Sequence, residues 1–354
     1  MSTSAFFNKR FRGLFGSDPP HEAFIGWYLS ICSAENIRSE LGVSNCEFPG
    51  LDPLIRFAEK RACLSISLPV MTELFNRELV SFWNHFDDNL QREWVFAYIN
   101  TTSVYFEFPN NSFVYDLPAG VLASLKHAHK GDCLPRDISI MFFKYDALFG
   151  FTQGQGRGWQ LSVPDQFYSI MSSEFDVECE IFASPINRRA TNYFSLFESD
   201  STFGSFGNFF GSPSNLAGFL SLMGNPNRLT VEANPPFQPL VMMRFAHRLT
   251  QLLSEASATG YDFMCICILP NWPQCDPILF LRKSPYLFHC ITLPKGEHKF
   301  KPGWSDVEIF EADPAYWKNS ETLVLFLGSD AARLRYNISE TLEARIRQSW
   351  ICDN

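Results

Sequence analysis

Residues 229–270 read LTVEANPPFQPLVMMRFAHRLTQLLSEASATGYDFMCICILP. A short β-type run reaches Asn234-Pro235-Pro236-Phe237. An apolar-periodic stretch follows from Leu240 to Ser257, with Leu240, Met243, Phe245, Leu249 and Leu252 expected near one helical face. Phe263–Leu269 is then a buried-strand candidate, closed by Pro270-Asn271-Trp272-Pro273. Strand, helix and strand in succession form the repeating unit of an α/β sheet. In a doubly wound sheet ligands bind outside the carboxyl ends of the strands, and Asn234 lies at such an end.

Asn234 to Phe237 have two readings. As a turn, they cap a buried strand and send Phe237 into the core, since Asn-Pro is a common turn signal. As a site, they suit methylation of an exocyclic amine such as adenine N6, whose lone pair is delocalised and weakly nucleophilic. The Asn234 side-chain oxygen and the Pro235 carbonyl could accept its two N–H bonds and stabilise the charge growing on nitrogen. Pro235 and Pro236 fix the loop, because each locks φ and restricts the residue before it. Phe237 offers a ring on which an unstacked base can lie.

The same alternation extends outward from this stretch. Pro164–Phe175 is predicted helical, Val177–Phe182 a strand, and 187–227 irregular. Strands are expected at about 288–293 and 323–328, with a closing helix over Thr341–Ser349. A Gly-rich loop spans Gly150–Gly158, and no G-x-G-x-x-G occurs. Residues 141–354 are therefore expected to form one α/β domain. Residues 1–140 are expected to form a mainly helical N-terminal domain. It would hold two helices over 52–89, strands or a hairpin over 94–115 and a short helix from about 117 to 129.

Composition narrows the classes. The chain has 354 residues, 46% of them hydrophobic, which excludes disorder throughout. Its net charge of −9 excludes a general nucleic-acid coat, so any RNA contact needs local basic patches and a deep pocket. The 36 phenylalanines imply core packing first, with only a few available for stacking. Ten scattered cysteines form no CxxC pair and no zinc spacing, so free thiols in a reducing compartment (nucleus or cytoplasm) and no metal are expected. No apolar run has membrane-spanning length, and no membrane partner is expected. The first sixteen residues, MSTSAFFNKRFRGLFG, faintly resemble a mitochondrial presequence but read better as a basic arm.

Three co-linear segments carry a resemblance. They are ECEIFASPIN (178–187) with FGSFGNFF (203–210) after it, VEANPPF (231–237) with a strand ending ILPNW (268–272), and GEHKFKPG (296–303) with TLVLFLGSD (322–330). Over about residues 140–330 the chain resembles the cap-specific adenosine N6-methyltransferase family, the catalytic part of the phosphorylated-CTD-interacting factor. The resemblance implies a Rossmann-type methyltransferase core behind a helical N-terminal domain. It also implies transfer of a methyl from S-adenosylmethionine to N6 of the first adenosine beside a 7-methylguanosine cap, on capped mRNA. Asn234, Pro235, Pro236 and Phe237 match its catalytic motif. Phe182, Ala183, Ser184, Pro185 and Asn187 match its strand-end segment near the cofactor, and His298 matches its EH-x-aromatic-basic stretch.

Further candidates stand beside these. Trp159 and Gln160 are candidates for the cofactor, with a core tryptophan as the alternative. Gly204, Ser205 and Gly207 could let backbone approach the cofactor or base closely, or form a mobile substrate loop. Arg188 and Arg189 could meet the cap triphosphate or make an exposed turn. Lys295, His298, Lys299 and Lys301 suit phosphate contact near Phe300, or a solvated strand edge. Glu232 could point into the sheet or toward substrate. Only Trp27 suggests a WW-type module, so none is expected to bind the polymerase tail; a capping-machinery protein is the expected partner.

Overall fold

The computed structural model describes residues 96–100, 103–108, 111–117, 119–135, 137–138, 141, 161–237, 239–301 and 321–351. The helices expected over 52–89 and the Gly-rich loop lie outside these residues. The chain divides into two units, Met1–Gly156 and Arg157–Asn354.

In the first unit, β1 (Phe96–Asn100), β2 (Ser103–Phe108) and β3 (Asn111–Asp116) form an antiparallel meander. Asn100 pairs with Ser103 and Phe108 with Asn111, so two residues join each pair. The expected hairpin is thus three strands, rich in the aromatic and β-branched residues that suit a pleated surface. Helix α1 (Ala119–Ala128) buries Leu122 and Leu125 at i, i+3 spacing.

The second unit is built on six strands in the order β5-β4-β6-β7-β9-β8. They are β4 (Val177–Ile181), β5 (Asn192–Phe194), β6 (Arg228–Ala233), β7 (Asp262–Pro270), β8 (Leu287–Leu293) and β9 (Thr322–Gly328). The first four run parallel; β9 lies antiparallel between β7 and β8, so the sheet is mixed. β7 and β9 are buried along almost their whole length, which is why they read as unbroken apolar runs.

One face of the sheet carries α2 (Asp165–Phe175) and α7 (Glu340–Gln348). Phe167, Met171, Phe175, Ile346 and Trp350 pack there against Met264, Ile266, Ile268, Val324 and Phe326. α4 (Pro239–Thr259) starts on Pro239, whose missing N–H costs nothing in the first turn. Its buried stripe is Val241, Met242, Phe245, Ala246, Leu249, Leu252, Leu253 and Ala256, whereas Met243 is only half-buried. α3 (Leu216–Leu222), α5 (Asp276–Arg282) and α6 (Asp330–Arg335) complete the unit.

The six described cysteines are free thiols. Burial pushes Cys179 and Cys265 upward in pKa, which keeps them protonated and unreactive.

Candidate active site

The connections fix where a ligand can sit. From β4 the chain goes outward to β5, then crosses back to β6 on the other side of β4. The carboxyl ends of β4 and β6 therefore flank a topological switch point, where an α/β sheet opens a crevice. Ile181 pairs with Ala233, so Phe182–Asn187 and Asn234–Phe237 leave the sheet side by side. Gly204 and Ser205 follow β5, the next strand over.

After β4 the backbone is forced. Phe182 has φ +73°, the left-handed region that a bulky side chain occupies only under outside constraint, at a cost of order 1–3 kcal/mol. Its ring is held 5.3–5.5 Å from those of Phe209, Phe210 and Phe245. Ser184 and Asn187 then close a turn: the Ser184 N–H and Oγ donate to Asn187 Oδ1 at 2.6 and 2.9 Å. After β5, Gly207 also takes a left-handed φ of +89°, and a Cβ there would lie 2.5 Å from a Glu198 carboxylate oxygen. Ser205 is buried, its Oγ accepting from the Gly207 N–H at 3.0 Å.

After β6, Pro235 and Pro236 are buried while Asn234 and Phe237 are half-buried. Asn234 Nδ2 donates to the carbonyl of Leu161 at 3.1 Å. A backbone carbonyl only accepts, so the amide must present its NH2 there and turn Oδ1 the other way. Phe237 packs edge-to-face with Trp272 after β7, at 6.4 Å, and with Phe300, at 6.2 Å. Phe300 in turn rests on Trp350, at 5.1 Å.

Two carboxyl groups lie beneath the crevice: Glu180, not singled out from sequence, and Glu232, weighed there as pointing into the sheet or toward substrate. Glu180 and Glu232 face each other across β4 and β6, at 3% and 2% exposure. Glu180 Oε2 accepts from the Arg189 and Ala190 N–H groups at 2.5 and 2.6 Å. Burial pushes Glu180 up to about 7, against the lowering effect of those two N–H bonds and of Arg189 and Arg188. Burial, then the neighbouring Glu180, raises Glu232 well above the carboxylate range. In β4 Glu178 and Glu180 alternate in VECEI and only Glu178 is exposed, so the sequence carries no signal that separates them.

A stability prediction follows from the sign. The folded state holds a proton on Glu180 between its usual 4.5 and about 7, where the unfolded chain has released it. The contribution is complete below about pH 4.5 and is lost as pH rises through 7; Glu232, also raised by burial, contributes in the same sense. Urea unfolding at pH 5.5 to 8.5 should show stability falling with pH in the wild type and a flatter profile in Glu180→Gln/Glu232→Gln. Equal slopes would assign those protons elsewhere.

The basic candidates separate. Lys295 and Lys299 are exposed. Arg188 stacks on the Tyr193 ring at 5.4 Å. Arg189 and Lys301 share the single carboxylate of Asp165, with Arg189 Nε 3.2 Å from Oδ1 and Lys301 Nζ 2.5 Å from Oδ2. His298, expected at the RNA, is 3% exposed with Nδ1 against the Pro294 carbonyl (2.9 Å) and Nε2 against Thr322 Oγ1 (2.8 Å). Its ring ties the 294–301 segment to β9 from inside. Trp159 and Gln160 lie outside the described residues. Among the described residues no cluster of three His, Cys, Asp or Glu could hold a metal ion, and no helix is long and apolar enough to cross a membrane.

Comparison with known proteins bears on the whole region. A human protein named mRNA (2'-O-methyladenosine-N(6)-)-methyltransferase is 29% identical over 223 residues, covering 61% of this chain and 29% of the human one. A mouse protein of the same name is 30% identical over 197 residues, 55% of this chain and 26% of its own length. The chain thus spans less than a third of either relative. A family model described as the phosphorylated CTD interacting factor 1 WW domain matches residues 114–303. That description names a WW module, against the expectation drawn from Trp27; the matched residues run from β3 through β8. With more than half of its length matched, the chain belongs to the phosphorylated CTD interacting factor 1 WW domain family.

Proposed function

We propose that the chain is an S-adenosylmethionine-dependent methyltransferase that methylates N6 of the first adenosine beside the cap of capped mRNA. The observation that carries this reading is the Asn234 amide, oriented by Leu161 at the crevice between β4 and β6. The relatives' name points to a 2'-O-methylated adenosine, and the same nucleotide is the substrate inferred for this chain. The strand order, with parallel β5-β4-β6-β7 and an antiparallel last strand inserted beside β8, supports a Rossmann-type methyltransferase core.

The residues fit the cofactor. S-adenosylmethionine, when bound, supplies a methyl group on a positively charged sulfur. Phe182–Pro185 and Asn187 after β4, with Gly204 and Ser205 after β5, would hold it. Glu232 Oε1, buried and without a hydrogen-bond partner among the described residues, leaves an unmatched polar atom beneath this crevice. Asn234 Oδ1 and the Pro235 carbonyl accept the two N–H bonds of the adenine amine. They would draw its lone pair out of the ring plane and ready it to attack a bound methyl donor. Phe237 holds the base by its face. Rate then comes from positioning and preorganised acceptors.

The test is mass spectrometry of 5′ nucleosides from short RNAs beginning with adenosine, with and without a 7-methylguanosine cap and a 2'-O-methyl group. One added methyl on N6, dependent on the cap, is expected. Cofactor binding with no methyl gained on any RNA would move the assignment to another amine substrate. Absence of a cofactor-induced thermal shift would leave an RNA-binding module without catalysis.

A further inference from the structure

Residues 161–165 lead into α2, and three parts of the second unit converge on them. The Leu161 carbonyl accepts from Asn234 Nδ2 at 3.1 Å. Ser162 is bridged to Lys301 by two backbone hydrogen bonds, of 2.9 and 2.8 Å. Arg189, at the far end of the turn that follows β4, reaches the same segment with its guanidinium. Its Nη2 donates to Ser162 Oγ at 2.9 Å and its Nε lies 3.2 Å from Asp165 Oδ1. Asp165 Oδ2 holds Lys301 Nζ at 2.5 Å. The Arg189 backbone is itself pinned on Glu180.

We infer that this lead-in is a clasp that sets the orientation of the Asn234 amide, with Asp165, Arg189 and Lys301 as its positioning residues. The inference rests on the methyltransferase reading for its consequence in turnover, but not for its geometry. Asn234 has a rotatable side chain on a loop, and either end of its amide can face an incoming amine. Only the oxygen can accept from it. A carbonyl held rigidly at Leu161 captures the NH2 end and leaves the oxygen for substrate. Holding that carbonyl requires the residues after it to be fixed. The backbone bridge to Lys301 ties Ser162 down, and Arg189 adds a second tie through its Nη2 bond to Ser162 Oγ, with its guanidinium set beside the Asp165 carboxylate. A forked guanidinium can touch a hydroxyl and a carboxylate at once, which a lysine ammonium on its flexible stem does poorly. Two basic residues that sequence suggests for RNA phosphate thus serve the catalytic asparagine from behind.

The variants are Arg189→Lys and the isosteric Asp165→Asn, made in the full chain. Glu174→Gln is the control: Glu174 pairs with Arg345 at 2.8 Å on the distant end of the same helix. Two quantities are read. One is the side-chain 15N–1H pair of Asn234, identified by its disappearance in Asn234→Ala. The other is kcat and KM for cofactor and for capped RNA. Both clasp variants should move or broaden the Asn234 resonances and lower kcat about tenfold, with both KM values within about twofold of wild type. The control should match wild type in both. Unchanged Asn234 resonances in both clasp variants would overturn the inference. So would a loss confined to the KM for RNA, which would return Arg189 to the phosphate. If the wild type methylates no RNA, the resonances still decide the clasp, and the failure belongs to the proposed function alone.

Discussion

Asn234→Ala is expected to lower kcat roughly 10²–10³-fold while leaving S-adenosylmethionine affinity within a few fold. That range is the usual cost of removing one preorganised group aimed at charge that develops in the transition state. The residue suits this class of effect because its oxygen is spare only on account of the Leu161 carbonyl, which engages the nitrogen. Binding of the cofactor should survive, since the turn of Ser184 and Asn187 and the constrained Phe182 lie on the neighbouring strand end. Asn234→Asp sharpens the reading. It restores an acceptor oxygen but sets a second one against the Leu161 carbonyl, where two acceptors repel. Turnover should stay low there too, although the side chain keeps its size. Isothermal titration with the cofactor and single-turnover kinetics with capped RNA separate the two quantities. Near-normal turnover in Asn234→Ala would remove the amide from the chemistry and leave Pro235's carbonyl as the sole acceptor.

Much of this region is legible from sequence, for reasons that differ by element. β7 and β9 are buried on both faces, so their apolar runs announce them. The direction of β9 does not show, because a buried strand has the same pattern either way. β5 has three residues and α3 seven, too few for a period to emerge, so 187–227 reads as irregular. In α4 the helix is plain, but its stripe is wide. Val241, Met242, Phe245 and Ala246 are all buried because the helix packs on both the sheet and α5, and the face cannot be centred from apolar positions alone.

At the site, residue type conveys which groups can accept or donate, and Asn234 needs only that. It does not convey which charges already share a counter-ion. Arg189 and Lys301 meet their counter-ion in Asp165, which lies 136 positions before Lys301, and no local pattern points to it. His298 shows the same limit in another form. Its neighbours Lys295 and Lys299 suggest a solvent-facing basic stretch, while its ring turns inward to Thr322, and burial holds its pKa below the usual value. Glu180 and Glu232 become a pair only through the parallel register of β4 and β6.

Phe209→Ala should be the most damaging single change to the fold, at about 3–5 kcal/mol. Phe209 is fully buried, and its ring lies 5.3–6.2 Å from those of Phe182, Phe194, Phe210, Phe219 and Phe245. The Arg248 guanidinium sits 4.7 Å over the same ring and donates to the carbonyls of Ser212 and Pro213, at 2.6 and 2.7 Å. Each aromatic pair contributes roughly 0.5–1.5 kcal/mol beyond simple burial, so deletion removes several at once. The rings come from β5, α3, α4 and the strand end after β4, and rigid rings from four directions collapse poorly into a void. A fall in Tm on the order of 10 °C is expected, and Phe209→Leu should lose less. The effect reaches the site as well. Phe182 keeps its left-handed backbone because Phe209, Phe210 and Phe245 grip its ring, so loosening the cluster lets φ relax. Cofactor affinity should therefore drop in Phe209→Ala even at temperatures where the chain is fully folded. A stability loss under about 1.5 kcal/mol would show that the neighbouring rings refill the space. Unchanged affinity beside a large loss of stability would show that the strand end after β4 keeps its strain without the cluster.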